Sequence, residues 1–442
     1  MLSFIGFATI VIIVLLLLRG KTTPMIPLVL IPIVGALVAG FQIKEIGDFF
    51  GDGIVSVVQV AIMFIFAILF FGIMQDAGLF DPIIDKMIAV TRGNVITISI
   101  GTVVIAAIAQ LDGSGASTFL ITIPALLPVY RQMKMSPYLL LLLIGGSASI
   151  MNMIPWGGPL GRAASVLNMD VTELWRPLIP IQVIGMVLMI VLAILLGMRE
   201  KRRIIARYGS VENAIAHEEE DVAMFDRQES GGNVKVTKTK IYWLNVILAI
   251  AVIGVLVAGI IPAGLAFMIG VCIALPLNYR KADDQSKTIQ KHAPNALTMA
   301  TIILAAGSFL GILNGTGMLD SIAEDTVTVL PSFITPYIHL IIGVLGVPFD
   351  LLLSTDAYYF ALLPVAEQIG TTFGIPSIST AYAMIIGNIV GTFVSPFSPA
   401  LWLALGLAGL EMGKHIRYAF LWMWGLSIVL VFIAFAMGTI TL

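Results

Sequence analysis

Long apolar runs alternate with short polar stretches along most of the chain, and their lengths indicate helices that cross a membrane. Fourteen apolar segments lie between residues 2 and 440, and residues 199–240 form the longest polar interruption. One helical crossing of a bilayer needs about 20 apolar residues, and these runs lack the alternation of barrel strands. The pattern therefore predicts an all-α polytopic membrane protein.

Four of the apolar segments are short, and each short pair flanks a polar string. Residues 112–118 and 350–356, here called tip 1 and tip 2, hold carboxylates and hydroxyls between short apolar arms at 95–110, 119–131, 333–349 and 357–369. Both strings lead into the pentapeptide Ala-Leu-Leu-Pro-Val, which begins at Ala125 and at Ala361. Short arms around a polar tip favour a re-entrant helical hairpin over two crossings.

Three sequence matches recur in one order at nearly one spacing. The segment that begins at Phe70 matches the one at Phe309 at a spacing of 239, and the two pentapeptides lie 236 residues apart. Residues 146–156 match residues 387–397 at a spacing of 241. The matches indicate a duplicated unit, so we expect two repeats joined by a charged linker, with bounds at 1–198, 199–240 and 241–442.

The basic residues fall almost entirely on one predicted side of the membrane. With the N-terminus outside and each hairpin entering and leaving on one side, 21 of the 24 Lys and Arg lie in cytoplasmic segments, and the exceptions are Lys44, Arg162 and Arg176. Such asymmetry is the positive-inside signature. Corresponding helices of the two repeats then run in opposite directions, so one hairpin enters from the cytoplasm and the other from outside. Inverted repeats with broken helices are a transporter architecture.

Two further stretches interrupt apolar helices. Residues 147–159, here called break 1, contain two prolines and two glycines within five residues, which a helix cannot accommodate. Residues 388–399, here called break 2, repeat this pattern in the second half. Irregular backbone at membrane depth is tolerated only beside protein or a cavity. The breaks therefore indicate either a ligand site or kinks that serve packing.

We expect both tips and both breaks to form one substrate site at the bilayer midplane. At the tips, hydroxyls and backbone N–H groups suit an anion, and the expected contacts are Gly113, Ser114, Gly115, Ser117, Thr118, Ser354 and Thr355. At the breaks, the expected contacts are Asn152, Pro155, Trp156, Gly157, Gly158, Asn388, Thr392, Ser395 and Ser398. The hydroxyls of tip 1 could alternatively do no more than cap the returning helix.

Charged side chains near these interruptions suggest how transport is coupled. Asp112 and Asp356 suit a proton or a cation, so we expect them to couple transport to protons and to approach a metal that arrives with the substrate. Asp350 either shares this role or ends its arm with a backbone hydrogen bond. Arg162, after break 1, either pairs with a substrate carboxylate or forms a local ion pair with Asp170 or Glu173.

At these positions the sequence resembles the metal–citrate/proton symporter family of the ion transporter superfamily. The resemblance is carried by residues 65–74, 111–115, 150–159 and 162–165. It implies proton-coupled uptake of citrate complexed with Mg²⁺ or Ca²⁺, without a permanently bound cofactor. It also implies a homodimer in a bacterial-type plasma membrane, with an elevator movement of each transport domain.

The superfamily's divalent-anion transporters carry Ser-Asn-Thr at each tip. This chain has Asp112-Gly113-Ser114 and Ser354-Thr355-Asp356 near those positions, which favours protons over sodium as the coupling ion. A divalent metal leaves citrate with one net negative charge, which lowers the cost of removing it from water.

Composition narrows the alternatives. The chain is 59% hydrophobic and 11% charged, which excludes an ordinary soluble domain, and nothing in its charge indicates nucleic-acid binding. Cys272 is its only cysteine, so no disulfide framework or cysteine metal site is expected. No nucleophile–base motif supports an enzyme. A sodium-coupled carrier of free di- or tricarboxylates on the same fold remains the alternative function.

Overall fold

A computed structural model describes residues 1–19, 21–79, 82, 94–210, 240–329 and 334–442. These residues form helices and their connections, as the sequence predicts. The helices of the first half are α1 (Leu2–Arg19), α2 (Met25–Val38), α3 (Ile43–Asp76), α4 (Val95–Ala109), α5 (Gly115–Gln132), α6 (Pro137–Met151), α7 (Gly158–Leu167), α8 (Val171–Trp175) and α9 (Ile179–Tyr208).

The second half has a similar order, but one hairpin arm is divided in two and, in the part of the chain that the structure describes, no short helix corresponds to α8. Its helices are α10 (Lys240–Ala258), α11 (Ala263–Asn278), α12 (Ala282–Gly315), α13 (Met318–Val329), α14 (Ile338–Val344), α15 (Gly346–Asp350), α16 (Leu363–Thr372), α17 (Ser377–Ile389), α18 (Pro399–Ala408) and α19 (Met412–Ala436). A π-helical turn, Ala357–Leu362, leads into α16.

The membrane prediction agrees with the lengths of these helices. Within the described residues, six helical segments are long and apolar enough to cross a membrane. One of them is Val95–Asp112, which joins α4 to the 3₁₀ turn after it and reaches 18 residues. The first arm is therefore two residues longer than its apolar run, because the helical turn continues into the polar string, and its re-entrant placement stays a prediction.

The charged linker begins later in the structure than its composition suggests. Helix α9 continues to Tyr208, ten residues into the predicted linker, because residues 199–208 contain no proline or glycine to end it. Residues 211–239, which make up most of the linker, lie outside the described part of the chain, as do Lys86 and Arg92.

Two pairs of helices have equal lengths at the spacings of the sequence matches. Helices α3 and α12 are each 34 residues long, and both ends of α12 lie 239 residues after those of α3. Helices α7 and α18 are each 10 residues long at a spacing of 241. Both end on a left-handed residue, Asn168 and Gly409 respectively. Equal lengths and equal caps indicate that the two halves share one backbone plan.

The equivalent helices α3 and α12 pack against each other in antiparallel directions. A Cβ on Gly311 would lie 2.7 Å from the Cα of Gly53, so the two backbones touch near the start of α3. Near its end, a Cβ on Gly72 would lie 2.5 Å from Nδ1 of His292. The Nε2 atom of His292 lies 2.9 Å from the Asp76 carboxylate. This antiparallel packing agrees with the predicted inversion, and the inverted repeat itself stays a prediction.

Candidate substrate site

Tip 1 is a tight turn between the two arms of the first hairpin. The 3₁₀ turn Gln110–Asp112 ends at Gly113, whose φ of 76° lies in the left-handed region that favours glycine. The backbone N–H of Ser114 donates to the Asp112 carboxylate at 2.7 Å. The hydroxyl of Ser114 accepts from the backbone N–H of Ser117 at 3.4 Å and caps α5. One hydroxyl is thus used as a helix cap, while Ser117 keeps its side chain partly exposed.

Two hydrogen bonds from the residues just before tip 1 join it to break 1, and a Cβ on Gly113 would lie 2.9 Å from the Trp156 carbonyl oxygen. The indole N–H of Trp156 donates to the Leu111 carbonyl at 2.8 Å. The Gln110 side chain accepts from the Thr118 hydroxyl at 2.7 Å and donates to Asn152 Oδ1 at 3.5 Å. Sequence reasoning missed Gln110, although a fully buried amide two residues before Asp112 needs polar partners. It links the arm, the returning helix and the break.

Break 2 packs against the other side of tip 1. A Cβ on Gly115 would lie 2.4 Å from the ring of Phe393, so this ring rests on the first turn of α5. The rings of Phe119 and Phe393 also meet edge to face, with centroids 5.2 Å apart. Gly115 therefore provides close packing here, in addition to the substrate contact that we expect of it.

Tip 2 is held by break 2. The hydroxyl of Ser395 donates to the backbone carbonyl of Asp350 at 2.6 Å. A Cβ on Gly391 would lie 2.2 Å from Asp350 Oδ2, which places this carboxylate directly against break 2. Asp350 is 1% exposed, and neither of its carboxylate oxygens has a hydrogen-bond partner among the described residues. The alternative that its side chain bonds to backbone is therefore wrong.

Tip 2 is joined to the first half by an ion pair. Nε of Arg162, in the first turns of α7 after break 1, lies 2.7 Å from Asp356 Oδ1, and the two side chains are 10% and 13% exposed. The expected local partners of Arg162 are wrong. Asp170 instead caps α8 by accepting the N–H groups of Thr172 and Glu173. The Arg162–Asp356 pair could not be predicted from local sequence, because the two residues lie 194 positions apart.

The four interruptions therefore close into a ring: tip 1 with break 1, tip 1 with break 2, tip 2 with break 2, and tip 2 with the helix after break 1. The contacts bring the four interruptions together, and their role as one substrate site stays a prediction. The side chains of Ser117, Thr355, Asp356 and Ser398 keep partial exposure within this region, so they can meet a ligand.

Several predicted site residues have local structural partners. The hydroxyl of Ser354 accepts from the N–H of Ala357 at 3.2 Å, and the hydroxyl of Thr392 donates to the Ile389 carbonyl at 2.7 Å. The amide of Asn388 donates to the Gly346 carbonyl at 3.4 Å and holds α17 against the start of α15. These contacts order the backbone of tip 2 and break 2.

The prolines and glycines of break 1 shape its backbone. Pro155 lies in the turn between α6 and α7, and a Cβ on Gly157 would lie 2.1 Å from the Asn152 carbonyl oxygen. Gly158 begins α7 beside the guanidinium of Arg162, which a Cβ would meet at 2.6 Å. Break 1 thus brings the start of α7, and with it Arg162, close to the turn.

Asp112 and Asp356 lie on different tips and have different partners. Asp112 accepts a backbone N–H, whereas Asp356 pairs with Arg162. Across the part of the chain that the structure describes, no group of three or more His, Cys, Asp or Glu side chains lies together.

The chain matches the family model described as "Citrate transporter" over residues 6–387. It is 33% identical over 441 residues to the "Citrate transporter" of Bacillus subtilis (strain 168), and the match covers 100% of both chains. It is 36% identical over 443 residues to the "Mg(2+)/citrate complex secondary transporter" of the same organism, again over 100% of both chains.

A solved structure has a similar fold. The crystal structure of the Alcanivorax borkumensis YdaH transporter, described as having an unusual topology, aligns with a TM-score of 0.55 and 15% sequence identity. The alignment covers 90% of this chain and 88% of that chain. At this identity the similarity concerns the fold alone.

Proposed function

Since the chain belongs to the citrate transporter family, we propose that it takes up citrate as a complex with a divalent metal ion, by symport with protons. It is a multi-pass transporter of a bacterial-type plasma membrane and not an enzyme. In this proposal the ring of tips and breaks binds the complex, and Mg²⁺ or Ca²⁺ enters as part of the substrate.

The observation that carries the metal part of the proposal is the Arg162–Asp356 ion pair. Arg162 is the basic side chain that the described contacts place at the ring, and its charge is already compensated at 2.7 Å. A fully ionised citrate carries three negative charges and would need further basic partners in a site away from water. A bound divalent cation leaves one net charge, which fits a ring rich in hydroxyls and carboxylates.

The proton part of the proposal is supported by Asp350 and Asp112. A buried carboxylate charge without a partner is costly, so a proton or a cation must accompany it. The carboxylate oxygens of Asp350 make no hydrogen bond of ordinary geometry among the described residues, and the Asn388 side chain is their polar neighbour. Asp112 accepts the Ser114 N–H and has the Ser117 hydroxyl beside it. Asp356 differs because Arg162 already neutralises it. We therefore assign proton coupling to Asp112 and Asp350 and a binding role to Asp356.

Uptake into proteoliposomes tests the substrate. Labelled citrate should enter with an equal amount of labelled divalent metal, and an inward proton gradient should drive both. Excess chelator should stop uptake. Full uptake in chelator, driven by a sodium gradient, would instead select the sodium-coupled carrier of free carboxylates.

Three carboxylate variants test the coupling. Asp112→Asn and Asp350→Asn should lose uptake driven by the proton gradient while keeping citrate exchange, because exchange needs no net proton movement. Asp356→Asn should weaken both, because it leaves Arg162 without its partner. Asp52→Asn, an exposed carboxylate on α3, serves as the matched control. Unchanged driven uptake in Asp112→Asn and Asp350→Asn would remove both residues from proton coupling.

A further inference from the structure

Helix α19 belongs to neither tip and neither break, but it packs against α14, α15 and α17. Two of its side chains donate hydrogen bonds to backbone carbonyls of these helices. The indole N–H of Trp424 donates to the Val344 carbonyl at 2.8 Å, and the hydroxyl of Ser427 donates to the Gly387 carbonyl at 2.6 Å. The substrate site described above uses neither side chain.

The Val344 carbonyl has lost the donor that a continuous helix would supply. In an α-helix it would accept the N–H of residue 348, but that residue is Pro348, which has no N–H. Helix α14 accordingly ends at Val344, and α15 begins at Gly346. The first hairpin differs, since its arm α4 is one helix over Val95–Ala109. A backbone carbonyl without a partner at membrane depth is costly, and Trp424 supplies the missing donor.

The Gly387 carbonyl lies where α17 touches the divided arm. A Cβ on Gly346 would lie 2.6 Å from the Gly387 carbonyl oxygen, so the two backbones are in contact. In a continuous helix this carbonyl would accept the N–H of Gly391, which instead donates to the Asn388 carbonyl at 2.8 Å. Ser427 supplies the replacement donor. One helix, α19, thus satisfies a freed carbonyl on each side of the contact between the arm and α17.

The divided arm carries Asp350 to break 2. Helix α15 runs from Gly346 to Asp350, so the carboxylate lies about one helical turn after the division. At that end, Asp350 lies against Gly391, and its backbone carbonyl accepts the Ser395 hydroxyl at 2.6 Å. Because α15 is so short, a shift of the backbone at the division changes the position of the Asp350 carboxylate relative to break 2.

We propose that Trp424 and Ser427 are positioning residues for Asp350, because they hold the divided arm on α17 and so place the carboxylate against break 2. This role rests on the proposed function, because it presupposes proton coupling through Asp350. Each side chain acts through the backbone of the arm or of α17 and not through a contact with the substrate. Loss of either donor should therefore impair the use of a proton gradient more than the exchange of citrate.

Transport by the purified full-length protein in proteoliposomes tests this proposal. Trp424→Phe keeps an aromatic ring beside Phe420 but removes the indole N–H. Its control is Trp422→Phe, because Trp422 lies on the same helix and is 37% exposed. Ser427→Thr keeps a hydroxyl, and Ser427→Val has the same shape without it. Ser427→Ala replaces this pair if the larger side chains prevent folding.

Two rates are measured for each variant with citrate and Mg²⁺, namely exchange without a gradient and uptake driven by an inward proton gradient. The ratio of driven uptake to exchange should fall about tenfold in Trp424→Phe and in Ser427→Val, since an unpaired carbonyl shifts an equilibrium by that order. Trp422→Phe and Ser427→Thr should keep the native ratio.

A merely structural role would lower both rates equally and leave the ratio unchanged in Trp424→Phe, and this result would overturn the proposal. Equal ratios for Ser427→Thr and Ser427→Val would also overturn it, because the hydroxyl would then have no effect of its own. Failure of the proposed function has a different signature, since the native chain itself would then show no response to the proton gradient.

Discussion

The Arg162–Asp356 ion pair fastens tip 2 to the first half, and removing one partner should destabilise the protein more than its single 2.7 Å contact suggests. Loss of one partner from a buried pair costs about 3–5 kcal/mol, because the other charge stays buried without compensation. The two side chains are nearly but not fully buried, so we expect about 3 kcal/mol for either single change.

A double-mutant cycle measures this effect. Arg162→Gln and Asp356→Asn should each lower the free energy of unfolding, whereas the double variant should lose no more than the worse single variant. The reason is that the double variant buries neither charge. With about 3 kcal/mol for each single variant and no more than about 3 kcal/mol for the double variant, the expected coupling free energy is about 3 kcal/mol. It can be measured from reversible unfolding in mixed detergent and SDS, followed by tryptophan fluorescence.

The surface pair Lys414–Glu411 is the control. Its atoms are 2.9 Å apart, close to the distance in the buried pair, but the side chains are 57% and 70% exposed. Water screens such a pair, so Lys414→Gln and Glu411→Gln should be additive within error. Additive losses at Arg162 and Asp356 as well would refute the argument that the ion pair closes the ring.

Three other changes test the packing of the ring. The Trp156 ring stacks on Phe71 with centroids 5.0 Å apart. Trp156→Phe keeps an aromatic ring there but removes the hydrogen bond to the Leu111 carbonyl, so it should cost about 1 kcal/mol of stability and slow citrate uptake. Gly115→Ala should lower the free energy of unfolding by about 1–3 kcal/mol, because the added methyl group overlaps the Phe393 ring, and Phe393→Leu should restore part of the loss. Gly406→Ala is the control, because open space surrounds Gly406 and the change should be neutral or stabilising. Gln110→Leu should cost about 1–3 kcal/mol, measured by the same unfolding assay, because it leaves buried partners unpaired. If each of these ring variants had the same free energy of unfolding as the wild type, the contacts described above would be contradicted.

The positions of the helix interruptions were predictable because they depend on the residues at those positions and not on distant contacts. Proline and glycine in residues 155–159 stop a helix wherever it lies, and the structure does leave the helix between Met151 and Gly158. The repeat was predicted because the spacing between matching positions is kept even where the side chains differ between the halves. The π-helical turn after tip 2 gave no comparable signal. The extension of α9 to Tyr208 was missed because the charged residues of 199–208 suggested a linker, although that stretch contains no proline or glycine.

The partners within the site were harder to predict. Arg162 and Asp356 are 194 positions apart, and only the folding of both halves brings them together. Asp170 and Glu173 were nearer in sequence, but the N-terminus of α8 already uses Asp170. Gln110 could have been identified from the sequence, because it is an amide at the end of an apolar run and a buried amide requires a hydrogen-bond partner.

The contact between α3 and α12 has the form of an isologous interface. Gly53 corresponds to His292, and Gly72 to Gly311, each at a spacing of 239, so the Gly53–Gly311 and Gly72–His292 contacts join the same pair of positions in opposite order. Two identical one-repeat chains would meet in this way around a two-fold axis. In this chain the two positions belong to one polypeptide, so they need not carry the same residue. One copy of the position can then remain glycine for backbone contact while the other holds the histidine that pairs with Asp76.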